Sequence, residues 1–594
     1  MNTYYTDEKN TQIVLGLLKA HGIKKVIASP GTTNIRLVAS MQQDGWFEMY
    51  SAADERSAAY IACGLAAESG EPVVLSCTGA TASRNYMPGL TEAFYRKLPV
   101  LAITSTQHIG RVGQNVAQVL DRSVQPKDTV KLSIQLPTCR CAEDEWSCNV
   151  QTNRALLELT RDGGGPVHIN LETTYSSNFS IKELPQVHPI YRIGYKGAFP
   201  EIHSGMHIGI FVGAHKNWSS ALTEAVDAFC EKYDAVVLCD HTSNYHGKYK
   251  VFFSLLLSQD YYRPQCNNFD LLIHIGDISG AYPSFNSKNE WRVNPDGEIR
   301  DTFNHLKYVF EMDEEYFFEQ YASNTNDRKE QGTVFLATWK SEDEKIRNAV
   351  AELPFSNIWV AQHTAAKLPE NSILHLGILN SLRSWNFFEI TESIEVGCNT
   401  GGFGIDGILS SAIGAALARP DQLVFCIIGD LAFFYDINSL GNRHVSNNIR
   451  ILLINNGKGT EFRNYNHYGA QFGEDADVFV AAAGHYGAQS KDLVRHLAED
   501  LGFIYQSAIN KEEYLEKLTN FIDTKFTDKP MVFEVFTNSK DESDALRMIR
   551  NTVVDEKLVK KNEIRKVTQR AKKMVKGIIG ERTYKVLKIL SGRK

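Results

Sequence analysis

The sequence predicts an α/β protein with three doubly wound parallel-sheet domains, followed by a basic helical tail. At 594 residues the chain is too long for one hydrophobic core. Short apolar runs with the length of buried strands recur along it, and helical patterns separate them. Such alternation indicates parallel sheets covered by helices on both faces. The first and third domains both pair a glycine-rich turn with a helix, which suggests that they share a fold.

The first domain is predicted to span residues 1–185. Residues 11–21 have helical spacing, and a turn at 29–34 opens a second helix. A proline-containing segment at 184–189 is typical of a linker and ends the domain. The strands predicted here are Lys25–Ala28, Val73–Cys77, Val100–Thr104 and Val167–Leu171.

The second and third domains are predicted to span residues 186–350 and 351–545. The second contains the predicted strands His207–Val212, Ala235–Cys239 and Leu271–Ile275, with a helix at Trp218–Lys232. The strands predicted in the third domain include Ile373–Leu376, Leu423–Ile428, Ile449–Ile454 and Met531–Val535.

The tail, residues 546–594, differs in charge from the rest of the chain. From Lys557 onward it holds 14 basic and 2 acidic residues, whereas the chain as a whole has a net charge of −7. Apolar residues share one helical face of this segment, which predicts contact with a membrane surface or a partner. The alternative is a solvated helix packed on the acidic body. Nucleic-acid binding is not expected, because aromatic stacking platforms are missing. The apolar face consists of Val567, Ala571, Met574 and Ile578.

Composition favours a cytoplasmic protein, peripheral at most to the inner face of the membrane through this tail. No apolar run approaches the ~20 residues of a membrane span. The first residues lack the pattern of a signal peptide. The ten cysteines do not form a disulfide framework, and a zinc site at Cys139, Cys141 and Cys148 is not expected, because zinc takes four well-spaced ligands.

A carboxylate and an amide follow two predicted strands of the third domain. Asp430 ends the apolar run that begins at Leu423, and Asn455-Asn456 ends the next run, before Gly457-Lys458-Gly459. Ligands bind outside the carboxyl ends of such strands. Asp430, the Asn456 side-chain oxygen and the Lys458 carbonyl are predicted to bind Mg²⁺ or Mn²⁺, with phosphate oxygens and water completing the shell. The alternative is a helix-capping Asp and an Asn-Gly turn.

These motifs resemble those of thiamine diphosphate-dependent enzymes. The spacing of Gly429-Asp430, 24 residues and Asn455-Asn456 is the signature of that superfamily. One branch is matched most closely, the menaquinone-pathway 2-succinyl-5-enolpyruvyl-6-hydroxy-3-cyclohexene-1-carboxylate synthases. Most of the superfamily has glycine at the position of Leu431, whereas leucine there resembles this branch. So do the runs Gly404–Gly414 and Gly429–Leu440. The N-terminal segments that agree are Ser29-Pro-Gly, Asp54-Glu55-Arg56, Thr78-Gly-Ala and Asn85, so the resemblance covers about residues 10–540.

The resemblance implies a role for each matching residue. Glu55 would hydrogen-bond the cofactor's aminopyrimidine ring and activate it, and Gln118 would be a second catalytic residue. The alternatives are a glutamate that balances a helix dipole and a surface glutamine. Ile405 would hold the cofactor's bent shape, unless it is an ordinary core isoleucine. The implied cofactor contacts are Glu55, Thr78, Gly79, Asn85, Gly404, Ile405, Gly429, Leu431, Ala432, Asn456 and Gly459.

The substrate site departs from the pattern of that branch. Basic residues expected there are replaced at Thr32-Thr33, Thr400 and Trp385, and within Ser279–Tyr282. Losing an arginine removes both its charge and its fork geometry. Arg383 and Arg84 are candidate replacements, the alternative being ordinary surface arginines. The predicted substrate contacts are Ser29, Thr32, Thr33, Arg383, Trp385 and Thr400.

The predicted activity is therefore decarboxylation of a 2-oxoacid and transfer of the acyl unit to an unknown acceptor. The polar residues that line the predicted site would suit a polyhydroxylated acceptor. The alternatives are a simple decarboxylase, a genuine menaquinone-pathway synthase, and a catalytically silent assembly protein. FAD is not expected, since Gly209–Gly213 is too sparse for a dinucleotide fingerprint. The resemblance also implies a homodimer or homotetramer whose active sites combine residues of two subunits.

Overall fold

The computed structural model describes residues 4–215, 218–323, 333–484 and 490–560. The predicted apolar face of the tail lies outside these residues. Among the described residues, no helix combines the length and apolar character needed to cross a bilayer.

Twenty-one strands are described, and the ladders between them are parallel. In chain order they are β1 Lys25–Ala28, β2 Glu48–Ser51, β3 Val73–Cys77, β4 Val100–Thr106, β5 Leu132–Leu136, β6 Val167–Glu172, β7 Tyr191–Gly194, β8 Ile208–Val212, β9 Val236–Cys239, β10 Lys250–Phe252, β11 Asn268–Phe269, β12 Leu271–Ile275, β13 Asn286–Ser287, β14 Glu290–Val293, β15 Leu306–Glu311, β16 Ile373–Leu376, β17 Glu395–Gly397, β18 Val424–Gly429, β19 Ile449–Asn455, β20 Ile504–Ala508 and β21 Met531–Phe536.

Seventeen α-helices are described between these strands. They are α1 Lys9–Ala20, α2 Ile35–Asp44, α3 Glu55–Ser69, α4 Ala80–Asn85, α5 Met87–Tyr95, α6 Ala142–Glu158, α7 Ser220–Tyr233, α8 Ser254–Leu257, α9 Glu314–Ser323, α10 Val334–Arg347, α11 Asn357–Thr364, α12 Asn380–Trp385, α13 Ile408–Ala418, α14 Asp430–Tyr435, α15 Leu493–Asp500, α16 Lys511–Phe521 and α17 Ser539–Arg550.

The described chain forms two compact units, of which the first comprises residues 4–201 and 288–313. Its main sheet has the strand order β2-β1-β3-β4-β6-β5. The central strands β3 and β4 are buried along their whole length, because helices cover both faces of a parallel sheet. A separate run of parallel strands, β14-β15-β7, also belongs to this unit.

The second unit comprises residues 202–287 and, from 314, the rest of the described chain. It contains the strands β10-β9-β8-β12 and a six-stranded sheet of order β17-β16-β18-β19-β21-β20. This order repeats that of the six-stranded sheet in the first unit, strand for strand. The predicted α/β class is therefore confirmed, as is the shared fold of the first and third predicted domains. Helix α17 continues past residue 545, and the predicted domain boundaries stay predictions.

Both six-stranded sheets reverse their strand order at one point, between β1 and β3 in the first unit and between β16 and β18 in the second. In a doubly wound sheet, the crevice for a ligand opens at that point, outside the carboxyl ends of the strands. The segments that follow β1 and β3, and those that follow β16, β18 and β19, are therefore where the fold positions a site.

Candidate active site

Two threonines connect the strand ends at the reversal point of the first unit. Thr33 follows β1 and Thr78 follows β3, and their hydroxyls hydrogen-bond each other. Thr33 Oγ1 also donates to the Ser105 carbonyl at 3.0 Å. A Cβ on Gly31 would lie 2.5 Å from the Thr78 Cβ, so only glycine fits beside this pair. Thr33 is thus engaged within the fold, whereas Thr32 beside it is exposed.

Glu55 is the first residue of α3, but it does not cap this helix. Asp54 is the N-cap, and its Oδ1 accepts from the backbone N–H groups of Arg56 and Ser57 at 2.9 and 3.3 Å. Within the described chain, no hydrogen bond or ion pair engages the half-buried Glu55 carboxylate. Burial raises the pKa of the Cys77 thiol to about 12, and the charge of Glu55 acts in the same direction. Glu55 is therefore a free carboxylate close to the end of β3.

Gly79 brings the backbone of the Gln118 segment close to the turn after β3. A Cβ at Gly79 would lie 3.0 Å from the Gln118 carbonyl oxygen and 2.8 Å from Arg122 Nη1. Arg122 is buried and donates from Nη2 to Asn170 Oδ1 at 2.7 Å. Burial lowers the pKa of Arg122 to about 10. The structure thus brings Thr78, Gly79 and Gln118 together.

The other residues predicted near this turn lie at the surface or in the interior. Asn85 is exposed at the end of α4, and Ser29 is buried beyond β1. Arg84 donates from Nη2 to the Asp121 carbonyl at 2.8 Å. At least one N–H group of the Arg84 guanidinium is therefore already hydrogen-bonded within the protein.

Asp430 is a buried carboxylate at the reversal point of the second unit. Its Oδ1 accepts from the Leu431 N–H at 2.9 Å, and its Oδ2 accepts from the Gly457 and Asn456 N–H groups at 2.6 and 3.3 Å. Among the described residues, no cationic side chain pairs with it. Burial raises the pKa of Asp430 to about 6. A buried carboxylate without a counter-charge is costly in an ionised state, and a bound cation would remove that cost.

The loop after β19 presents the other oxygens of the predicted metal site. Asn456 Oδ1 accepts from the Thr460 hydroxyl at 2.6 Å, and the Lys458 carbonyl accepts from the Thr460 N–H at 2.9 Å. Each oxygen keeps a second lone pair. The Lys458 ammonium forms an ion pair with Asp477 at 2.7 Å, so it is directed to the loop beyond. The donors are oxygens, which fits a hard divalent cation.

No cluster of three or more His, Cys, Asp or Glu side chains could hold a metal in the described part of the chain. One carboxylate, one amide and one carbonyl are consistent with that finding. A cation here would need further oxygens from a ligand such as a diphosphate. The residues present therefore fit the predicted metal site.

The glycine-rich segment 401–407 leads into α13 with an open backbone. Gly407 has φ of +73°, and positions 401 and 402 have free space where a side chain would be. Ile405 is half-buried and packs on the core of this sheet. Asp436 holds the start of α13 by accepting from the Ser410 N–H and hydroxyl at 2.6 and 2.7 Å. Ile405 therefore has core contacts and still exposes part of its side chain.

The remaining cofactor candidates lie around Asp430. Gly429 precedes it, Ala432 is buried, and Leu431 is half-buried. A Cβ on Gly459 would lie 3.2 Å from Leu431 Cδ1, and the Gly459 N–H donates to the Ala481 carbonyl at 2.6 Å. Gly404 lies in the glycine-rich segment, where a Cβ would meet Asp406 Oδ1 at 2.4 Å. The second unit thus gathers Asp430, Leu431, Asn456, Lys458 and Gly459.

Sequence reasoning missed two buried carboxylates near Asp430. Glu534 Oε1 accepts from Asn455 Nδ2 at 2.6 Å, and Glu542 Oε1 accepts from the Asn357 N–H at 3.0 Å. Burial raises the pKa of both groups, and the charge of Asp430 adds to each shift. Glu534 interrupts the otherwise apolar strand β21, which is a signal that the sequence does contain. Glu542 does not interrupt an apolar run, so the sequence contains no comparable signal for it.

Replacing Glu542 with Gln is expected to stabilise the cofactor-free protein at pH 8 and to leave its stability at pH 4 nearly unchanged. Burial raises the pKa of Glu542 from 4.5 to about 7. The folded state therefore holds the proton more tightly, and the free energy of unfolding falls as pH rises from 4.5 to 7. Removing this charge should raise the free energy of unfolding at pH 8 by at most about 3 kcal/mol. Thermal unfolding at both pH values measures the effect, with exposed Glu516→Gln as control. Equal shifts at both pH values would contradict it.

The residues predicted to contact substrate do not form one open surface. Trp385 is fully buried, and Thr400 is buried with its N–H donating to the Cys398 carbonyl at 2.8 Å. Arg383 donates from Nη1 and Nη2 to the two carboxylate oxygens of Glu461 at 2.8 and 2.7 Å. The predicted replacement for a substrate-binding arginine is thus already paired with a carboxylate.

Comparisons with known proteins agree with this geometry. The N-terminal TPP binding domain of thiamine pyrophosphate enzymes matches residues 9–124, and the C-terminal TPP binding domain matches residues 384–535. Proteins named 2-succinyl-5-enolpyruvyl-6-hydroxy-3-cyclohexene-1-carboxylate synthase are similar over most of their length. Those of Bacteroides thetaiotaomicron and Phocaeicola vulgatus are each 32% identical, over 91% of this chain and 98% of theirs. That of Desulfotalea psychrophila is 29% identical over 87% of this chain and 96% of its own. The chain therefore belongs to the thiamine diphosphate-dependent enzymes, near the branch of these synthases.

Proposed function

We propose that this chain is a thiamine diphosphate- and Mg²⁺-dependent enzyme that decarboxylates a 2-oxoacid and transfers the acyl unit to an acceptor. The observation that carries this proposal is the buried Asp430 carboxylate. It lies at the reversal point of its sheet, and its hydrogen-bond partners among the described residues are backbone N–H groups. Asp430, Asn456 and the Lys458 carbonyl would hold the cation that neutralises the cofactor's diphosphate.

The site has two half-sites, one around Glu55 in the first unit and one around Asp430 in the second, and each has a separate task in this proposal. When bound, thiamine diphosphate supplies a carbon nucleophile and accepts the electrons that remain when carbon dioxide leaves. Glu55 would share a proton with a ring nitrogen of the pyrimidine, and no hydrogen bond or ion pair from the described residues engages its carboxylate. Asp54 keeps Glu55 available, because Asp54 satisfies the N–H groups at the start of α3. Ile405 would contact the cofactor with the exposed part of its side chain.

We also propose that the active form is a homo-oligomer in which a second copy covers the surface next to Glu55. Tyr60 and Ile61 lie on α3, between one and two turns beyond Glu55, and are 48% and 51% exposed. Large apolar side chains exposed on the helix that begins with Glu55 favour an interface.

The transfer outcome is preferred to simple decarboxylation because the relatives are named as synthases. The reaction in their name is a second candidate, favoured by about 30% identity over most of the chain. Thr400 and the Arg383–Glu461 ion pair argue against it, since this site offers few free cations for a multiply anionic substrate. A silent assembly protein would have no need of an unengaged Glu55 together with a buried Asp430.

Calorimetry and product analysis test the proposed function. The full chain should take up thiamine diphosphate only when Mg²⁺ is present. The loaded protein should then release carbon dioxide from at least one of pyruvate, 2-oxobutyrate, 2-oxoglutarate or phenylpyruvate. Formation of the compound named for the relatives, detected by mass spectrometry, would favour the second candidate. Failure of magnesium-linked cofactor uptake by folded protein would overturn both.

A further inference from the structure

A cavity of about 450 Å³ lies within the second unit, beside the glycine-rich segment 401–407. Its walls carry the aromatic rings of Phe253, Tyr282, Phe387 and Phe403. Phe403 and Tyr282 are in contact, with ring centroids 5.7 Å apart. The cavity can therefore surround a flat apolar group.

Two residues of the cavity wall have left-handed backbone conformations that favour glycine. Phe403 has φ of +53°, and Leu379 has φ of +63° with ψ of −115°. Large side chains rarely adopt this conformation, and its cost is tolerated where the surrounding structure enforces it, as in binding sites. The wall of the cavity is therefore built with local strain.

Both arginines that line the cavity are paired with carboxylates. Arg383 forms its two-pronged ion pair with Glu461, and Arg550 Nη2 lies 2.8 Å from Asp260 Oδ1. A ligand carboxylate would have to displace Glu461 from Arg383, losing two charge-assisted hydrogen bonds. The charges in the wall thus disfavour an anionic ligand.

We propose that this cavity binds the acceptor of the transfer reaction, and that this acceptor is an uncharged molecule with a flat apolar face. The assignment rests on the proposed function and names its substrate class. Glu461 lies three residues after Lys458 of the predicted metal site, so the cavity adjoins the segment that would hold the cofactor. The Glu461 carboxylate is the specificity-determining group, because it neutralises Arg383.

Three fluorinated probes of similar shape test the proposal by ¹⁹F NMR titration. They are 4-fluorobenzamide, 4-fluorobenzoate and 4-fluorobenzylamine, which are neutral, anionic and cationic. The full chain, with thiamine diphosphate and Mg²⁺ added, should bind the amide at least tenfold more tightly than either charged probe. Equal or tighter binding of the benzoate would overturn the proposal.

Variants of the ion pair assign the binding to this cavity. Glu461→Gln should tighten the benzoate at least tenfold and change the amide less than threefold, because Arg383 then lacks a counter-charge. Arg383→Gln should tighten the benzylamine instead, which keeps the test decisive if one variant fails to fold. Unchanged selectivity in both folded variants would overturn the assignment.

All titrations are repeated without cofactor. Lack of cofactor uptake with the selectivity intact would refute the proposed function alone, whereas cofactor uptake with reversed selectivity would refute the cavity assignment alone.

Discussion

Replacing Glu55 with Gln is expected to lower kcat by about 10²–10⁴-fold, the range typical of a lost general acid–base group. Gln keeps the size and hydrogen-bonding capacity of Glu but cannot share a proton with the pyrimidine ring in the same way. Cofactor uptake should persist, because the half-site around Asp430 does not change. The Glu55 carboxylate has no partner among the described residues, so the fold should not depend on it.

Carbon dioxide release under saturating cofactor and Mg²⁺ measures this effect, and calorimetry checks that the variant still binds thiamine diphosphate. Glu68→Gln is the matched control, because Glu68 lies on the same helix and is exposed. If Glu55→Gln retained full activity, Glu55 would not be the activating carboxylate, and the silent assembly protein would become the better interpretation.

Replacing Asp430 with Asn is expected to weaken the magnesium-dependent uptake of thiamine diphosphate by about 100-fold, since hard cations prefer charged oxygen ligands. The carboxylate accepts N–H groups with both oxygens. An amide has one acceptor oxygen, so it would also leave one of these donors unsatisfied. The protein should remain folded, because the substitution removes a buried charge that no cationic side chain of the described chain offsets.

Titration of cofactor uptake against Mg²⁺ concentration measures this second effect. Asp421→Asn is the control, since Asp421 is exposed just before the strand that ends at Asp430. Uptake that shows the same magnesium dependence in the variant would place the cation elsewhere.

The central strands of both six-stranded sheets could be predicted from the sequence, because they are buried on both faces and form continuous apolar runs. The four edge strands of these two sheets were missed: β2, β5, β17 and β20. Their residues are partly exposed, as in Glu48–Ser51 and Ile504–Ala508, so their hydrophobic pattern is broken. An edge strand has one neighbour and often one open face, and its pairing is decided by the sheet that it joins.

The candidate site divides in the same way. Asp430 and Asn456 could be found because the fold class places the ends of consecutive strands side by side, and Glu55 because a resemblance named it. Arg122, Glu534 and Glu542 were not singled out, since their roles come from burial against distant segments.

The sequence by itself determined the fold class, the cofactor family and the positions of both half-sites. Each depends on short motifs at the ends of strands whose adjacency follows from topology. Only the tertiary structure decided which charges the proposed substrate cavity presents to a ligand. Arg383 meets a carboxylate 78 residues further along the chain, and Arg550 also pairs with one. Pairing between side chains from separate loops depends on how those loops pack, which no local pattern of residues encodes.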